Sequence, residues 1–380
     1  MAHILLTGGT GALGASLLRD LTRHHFVWCR ARSQGAVSAK GRILRLIGTE
    51  TRINVLEGDI TKQNCGLSEE TLQALEGSVD MIVHCAASID FANGLEAMTT
   101  NVVGLTSVLD VAQRLNIKDF RHVSTAYVAG DSLRFSEADL DVGQKLRNPY
   151  EQSKWTGERL VHAWSGGSFS IFRPSILIGR EDGTSPTFDG YYGFFRPIHS
   201  VAQALRRSAS QGKQLPADLR VLPDTMVEFM FAIQASYIST LNLVPIDWVA
   251  SMMAKLISLP SENKTYHLTH PSPPRVADVI YNSLAALRVR GALIVETPEE
   301  FAAATQRHSP LASRLQRQIT NVLEHFVPYV TRQPVFDTRV IRTDLGSTYR
   351  EPRPITSSFL AELLAFAIAQ NWDTRKESRA

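Results

Sequence analysis

Short runs of β-branched and aromatic residues recur through the first half of the chain. They are HILLT from His3, FVWCR from Phe26, INVLEG from Ile53, MIVHCA from Met81, FRHVS from Phe120 and FSIFR from Phe169. Each is followed by a stretch whose apolar positions repeat at helical spacing. In GALGASLLRDLTRHH the residues Leu13, Leu17, Leu18 and Leu21 share one face, and LEAMTTNVVGLTSVLDVAQRLN is long enough for five or more turns at about 1.5 Å per residue. Strands alternating with amphipathic helices predict right-handed βαβ units and a doubly wound parallel sheet of the α/β class, covered on both faces.

The rhythm breaks near residue 180, where REDGTSPTFDGYYGFFRPIHS mixes Gly, Pro and aromatics. The pattern predicts a nucleotide-binding core over residues 1–182 and a substrate-subdomain insertion over 183–238. A return to the core sheet follows over 239–270, signalled by STLNLVPIDWV, and then an α-rich cap over 271–380. The second half thus reads as a smaller α-rich subdomain packed on the sheet's carboxyl edge. No internal repeat or low-complexity tract interrupts it.

Composition narrows the class. At 380 residues and 44% hydrophobic content the chain can bury a large core. Lys plus Arg number 40 against 37 acidic residues, so a net charge of +3 gives no reason to expect nucleic acid as a partner. The basic stretches LRRSASQGK and SRLQRQ read as solvated helix faces. Cys29, Cys65 and Cys85 are an odd count without Cys-x-x-Cys spacing, which suits reduced thiols in a cytoplasmic protein. MAHILLTGGTG reads as neither signal peptide nor anchor. The longest apolar run, Met226 to Ile246, is interrupted by Glu228, Gln234 and Asn242, so no transmembrane segment is expected. The histidines show no metal-ligand spacing.

Two motifs carry chemistry. TGGTGALG follows the first strand and opens a helix, with Gly8, Gly11 and Gly14 three residues apart. Such a turn needs tight backbone at the first glycine, close approach to a diphosphate at the second and close helix packing at the third, with the helix amino terminus facing the phosphates. The second strand ends WCRAR, and no acidic residue follows until Glu50. A carboxylate there would select NAD, whereas Arg30 and Arg32 offer guanidinium forks for a 2′-phosphate, so NADPH is the expected cofactor. The other motif is NPYEQSKW. Nine tyrosines and nine lysines give about 0.2 accidental Tyr-x-x-x-Lys pairs, yet only Tyr150 has a lysine at +4, and it lies 25 residues beyond a strand-end Ser-Thr. One helical turn puts Lys154 on the face of Tyr150, where an ammonium would stabilise a phenolate.

With these motifs the sequence resembles the extended short-chain dehydrogenases/reductases, a group with a Rossmann core. TGGTGALG, GDI at Gly58 to Ile60, HCAAS at His84 to Ser88 and NPYEQSK carry the resemblance. HVSTAYVAG, YEQSKWTGERLV, FRPSILIGREDG and LVPIDWVA are most similar to the thioester reductase and fatty acyl reductase branch, and FDTRVIRTDLG is loosely like a segment that follows its catalytic domain. The resemblance implies that Thr125 hydrogen-bonds the substrate carbonyl, with Ser124 its competitor, that Tyr150 donates the proton and Lys154 activates it, and that Asn101 assists from the preceding helix. It also implies cofactor contacts from Thr7, Gly8, Gly11, Ala12, Leu13, Gly14, Arg30, Arg32, Asp59, Ile60, Ala86, Ala87, Ser88, Lys154, Pro174 and Ile176. His84 and Cys85 read as packing residues.

The expected reaction is NADPH-dependent reduction of an acyl thioester to an aldehyde, and on to an alcohol if a second reduction follows. No adenylation or carrier segment is recognisable, so the acyl group is expected on coenzyme A or on a separate acyl carrier protein. Phe188, Tyr191, Tyr192, Phe194 and Phe195 would either line an acyl channel or pack the subdomain. Met226, Phe229, Met230 and Phe231 offer the same choice. Rival readings keep the fold and exchange the substrate for a ketone, a sterol or a nucleotide sugar, or remove the chemistry and leave an NADP(H)-sensing regulator.

Overall fold

Seven strands form one parallel sheet in the order β3-β2-β1-β4-β5-β7-β12. They are β1 (His3–Thr7), β2 (Phe26–Ala31), β3 (Ile53–Glu57), β4 (Met81–His84), β5 (Asp119–Val123), β7 (Ser168–Pro174) and β12 (Lys264–Leu268). β4 is buried at every position, as a strand covered on both faces must be. Strand order reverses between β1 and β4, whose registers pair Leu6 with Val83 and Thr7 with His84. In such sheets ligands bind outside the carboxyl ends of the strands at this point. The helices are α1 (Ala12–Leu21), α2 (Ala39–Ile47), α3 (Glu69–Leu75), α4 (Gly94–Met98), α5 (Gly104–Arg114) and α6 (Pro149–Ala163). A π-helical turn, Thr99–Val103, joins α4 to α5. Leu72, Ile82, Leu105, Val108, Phe120, Val161 and Ile171 form the core on one face of the sheet.

This computed structural model describes residues 1–48, 52–91, 93–306 and 308–373, which fall into two compact units. The first holds residues 1–175, 244–271 and 334–352. Besides the sheet and its helices it includes α8 (Ile246–Ile257), packed on α1, and α13 (Arg339–Leu345) beside β12. A two-residue ladder pairs β6 (Arg134–Phe135) with β14 (Val335–Phe336) in parallel, so a segment from near the end of the chain is laid onto the loop that follows β5.

The second unit holds residues 176–243, 272–333 and those from 353 on. Its elements are β8 (Ile176–Ile178), α7 (Tyr191–Ser210), β9 (Leu219–Val221), β10 (Val227–Gln234), α9 (Val276–Ala286), β13 (Val289–Val295), α10 (Pro298–Thr305), α11 (Pro310–Leu323), α12 (Val327–Thr331) and α14 (Ser357–Ala369). β11 (Leu243–Pro245) carries the chain back into the first unit.

The second unit is largely helical but contains the three-stranded sheet β13-β10-β9, which the sequence pattern does not signal. VEFMFAIQ has almost no polar alternation because β10 is the central strand and is buried over most of its length. Phe188, Tyr191, Tyr192, Phe194 and Phe195 are all buried in this unit's core, as are Phe229 and Phe231, stacked at 4.5 Å. Met226 is half-buried and Met230 exposed. Among the described residues no helix is long and apolar enough to cross a membrane.

Candidate active site

The glycine turn joins β1 to α1 at the reversal of strand order. Gly8 adopts φ +79°, and a Cβ there would lie 2.6 Å from the Cys85 carbonyl carbon, so no side chain fits. A Cβ at Gly14 would sit 2.8 Å from the Gly8 carbonyl carbon, which fixes how closely α1 approaches the turn. Gly11 is the N-cap of α1. It offers no side-chain cap, and the first turn carries no acidic residue. The opening N–H groups at Ala12, Leu13 and Gly14 are therefore left to an external acceptor, which is the fit a dinucleotide diphosphate requires. Thr7 supports the turn from beneath. Its hydroxyl shares a hydrogen bond with His84 Nδ1 at 2.7 Å and accepts from the Ala86 N–H at 3.4 Å.

The arginines after β2 divide in role. Arg30 is buried and donates to the Gly58 carbonyl at 2.6 Å, and burial lowers its pKa. Arg32 is 65% exposed and pairs with Asp59 at 3.6 Å. Arg42, from α2, donates to the Arg32 carbonyl at 2.8 Å, and its pKa is lowered first by burial and then by the Arg32 charge. The accessible cationic pair is thus Arg32 with Arg42, and Arg42 is absent from the sequence-derived set. Asp59 accepts the Thr61 N–H and hydroxyl at 3.0 and 2.9 Å. Burial raises its pKa, and these bonds together with Arg32 and Arg30 bring it below the usual value. Ile60 is buried against Gly104.

The helix bearing the Tyr/Lys pair starts on a firm cap. Asn148 accepts the Glu151 N–H at 2.9 Å, Pro149 takes the first helical position, and the buried Glu151 carboxylate returns to Arg147, accepting its N–H at 2.8 Å and its Nε at 2.9 Å. Tyr150 follows, half-buried, with its ring 5.5 Å from that of Phe91. One turn later Lys154, 4% exposed, donates to the Val123 carbonyl at 2.8 Å. Burial pushes the Tyr150 hydroxyl up to about 12, partly opposed by a hydrogen bond with Thr125. Burial pulls Lys154 down to about 8, opposed by Cys85 and Glu158. At neutral pH the two are a proton-holding phenol and, one helical turn on, an ammonium, the states a proton donor and its activator need.

Thr125 leaves the end of β5 buried. Its hydroxyl accepts the Tyr127 N–H at 3.3 Å and reaches the Pro174 carbonyl at 3.5 Å. Ser124, also buried, has a hydroxyl with no partner. Asn101, 2% exposed, lies in the π-helical turn, a kind of interruption frequent at functional sites. Its carboxamide accepts the Ser88 N–H at 2.8 Å and donates to the Ser88 carbonyl at 2.9 Å and the Ser153 hydroxyl at 2.8 Å. Asn101 therefore ties the exit of β4 to the residue preceding Lys154. Ala87 is exposed on that exit. The fold brings Thr125, Tyr150, Lys154, Asn101, Ser88, Ala86 and the glycine turn together in the first unit, whereas Ile176 belongs to the second. Among the described residues no cluster of His, Cys, Asp or Glu could hold a metal ion.

A doubly wound sheet with a glycine turn after β1, a strand-end hydroxyl after β5 and a Tyr/Lys helix is the layout of the extended short-chain dehydrogenases/reductases. Residues 6–253 match the sequence profile of the Male sterility protein family, and the chain belongs to that family. It is 30% identical to fatty acyl-CoA reductase 1 of Mus musculus over 179 residues, covering 42% of this chain and 35% of that protein. It spans between 4% and 26% of the length of larger synthetase and reductase relatives that it matches. Among solved structures, the terminal R domain of the myxalamid PKS-NRPS pathway superposes with a TM-score of 0.76 at 24% identity, over 98% of this chain and 92% of that one. A thiolation-reductase di-domain from an archaeal non-ribosomal peptide synthetase gives 0.69 at 21% identity, over 98% and 76%. These structural likenesses concern the fold.

Proposed function

We propose that the chain is an NADPH-dependent reductase of acyl thioesters that yields an aldehyde, acting in the cytoplasm. The observation that carries this reading is the convergence of Thr125, Tyr150 and Lys154 beside an uncapped helix amino terminus, in a family whose relatives include a fatty acyl-CoA reductase. NADPH is preferred over NADH because the β2 end presents Arg32 and Arg42 and no carboxylate of its own.

When bound, a reduced nicotinamide supplies hydride to the thioester carbonyl carbon. The Thr125 and Tyr150 hydroxyls donate to the carbonyl oxygen as charge builds on it, and Tyr150 passes its proton across. The Lys154 ammonium lowers the cost of the resulting phenolate. The hemithioacetal then returns its hydroxyl proton to Tyr150 as the C–S bond breaks. Aldehyde departs, and the thiolate takes a proton from water. The structural kinship with a thiolation-reductase di-domain favours a carrier-bound acyl chain as a second form of the substrate. An alcohol product would require a second hydride.

The test is NADPH oxidation with an acyl-CoA series from about six to eighteen carbons, with thiol, aldehyde and alcohol quantified, beside Tyr150→Phe. Turnover with stoichiometric thiol release, reduced about 10²–10⁴-fold in the variant, is expected. Neither thiol release nor NADPH consumption with acyl-CoA or a loaded carrier protein would overturn the assignment. A preference for sugar nucleotides or ketones would replace it by one of the rival substrates.

A further inference from the structure

Glu158 lies one helical turn beyond Lys154, as Lys154 lies one turn beyond Tyr150, so the three share a face of α6. Its carboxylate is fully buried and held in a bidentate pair by Arg173 of β7, with Nε at 3.0 and 3.2 Å and a terminal nitrogen at 2.6 Å. Arg173 is held in turn. It donates to the carbonyls of Asp139 at 2.7 Å and Ser136 at 3.4 Å, and its guanidinium lies 5.1 Å from the Phe135 ring centroid. His267 closes the array. Its Nδ1 donates to the Asp337 carbonyl at 2.8 Å, which fixes the tautomer and leaves Nε2 to accept from Arg173 at 3.4 Å.

Ionised pairs without solvent are costly, and apolar residues of similar volume would pack as well. The placement of this one, on the Tyr150/Lys154 face of α6, calls for a role beyond cohesion. We propose that Glu158 is a positioning residue for catalysis, a buried counter-ion that holds Lys154 charged and aligned, kept in place by Arg173 and by the 334–340 segment. The proposal rests on the reading of Lys154 given above.

The groups facing Lys154 explain why this anion matters. From the β4 end come His84 and Cys85, from β5 His122, and from α6 Glu158, with Tyr150 one turn before Lys154 on the same helix. Burial pushes the Cys85 thiol up to about 11 and pulls His84 down to about 3, and His122 falls well below its usual value. Glu158, held by the Arg173 guanidinium, is the carboxylate among these groups. Removing it lets burial pull Lys154 further down, so the ammonium is lost at lower pH.

The test uses the full chain with 13Cε-labelled lysine, Lys154 being assigned by the resonance lost in Lys154→Met. Its titration midpoint is followed in wild type, Glu158→Gln, Glu158→Asp and the doubly neutral E158Q/R173M, which keeps the fold testable if the single variant does not fold. The pH profile of kcat/KM with palmitoyl-CoA is recorded in parallel. Expected are a fall of the midpoint by about one pH unit in Glu158→Gln, a smaller fall in the same direction in the double variant, near-wild-type behaviour in Glu158→Asp, and a matching move of the alkaline limb. A midpoint unmoved in the folded double variant would reduce the pair to a structural one and overturn the proposal. If instead Lys154→Met retained full turnover, the reading of Lys154 itself would fail, whatever the titration showed.

Discussion

The two edges of the candidate site are built from opposite materials. At the end of β2, Arg32, Asp59 and Arg42 meet at the surface, with Arg32 65% exposed and paired loosely at 3.6 Å. At the ends of β4 and β5, Asn101, Thr125 and Lys154 are buried and bonded at 2.8 to 3.5 Å. Water screens the first group, so its charges are interchangeable within the reach of a long side chain and contribute modestly. Exclusion of water from the second makes each hydrogen bond strong when made and costly when lost. Surface charge can select among cofactors, whereas buried geometry is what a reaction step needs.

That contrast is open to measurement, beginning with the largest expected effect. Gly14→Ala drives a Cβ into the Gly8 carbonyl at the hinge of both edges, and NADPH binding followed by fluorescence should weaken by more than about 100-fold with the fold retained by circular dichroism. Binding within a few-fold of wild type would mean that the turn adjusts and the buried geometry is softer than described. Asn101→Ala comes next. It strands the Ser88 N–H and carbonyl and leaves the Ser153 hydroxyl only its bond to the Tyr150 carbonyl, at a cost on the order of 3 kcal/mol, and should lower kcat far more than it raises KM. An increase confined to KM would place Asn101 outside the alignment of α6. The smallest effect is at the surface. Arg32→Ala with Arg42→Ala should raise the dissociation constant of NADPH about tenfold, leave that of NADH unchanged, and lose most of the difference at roughly 0.5 M salt. An equal loss for both cofactors would remove the 2′-phosphate from this edge.

How much of this was legible follows from the same contrast. The glycine turn and NPYEQSK are local, since their function depends on residues a few positions apart on elements whose start is signalled by Asn148, Pro149 and the glycines themselves. Alternation of apolar runs with helical stretches was enough for the parallel sheet. Arg42 escaped notice because its partner is a backbone carbonyl ten residues away, brought near by the turn into α2. Glu158 escaped because a glutamate in WTGERLV reads as a solvated helix position. Its burial depends on Arg173, 15 residues on in the next strand, and through it on His267, a further 94 residues along the chain. The aromatic run after residue 187 could not be read at all from composition, which is the same for a channel wall and for a core.

The laying of Val335 and Phe336 beside Arg134 and Phe135 also has a consequence for biogenesis. A nascent chain can complete the glycine turn and the Tyr/Lys helix within its first 165 residues, but the Arg173 cluster stays open on one side until β12 and then β14 have left the ribosome. Contacts of such long sequence separation close late and slowly. A module cut for transplantation at residue 182 would retain the motifs and leave Arg173 without His267, so transferable units of this chain are those that carry residues 244–271 and 334–352 along with the amino-terminal sheet.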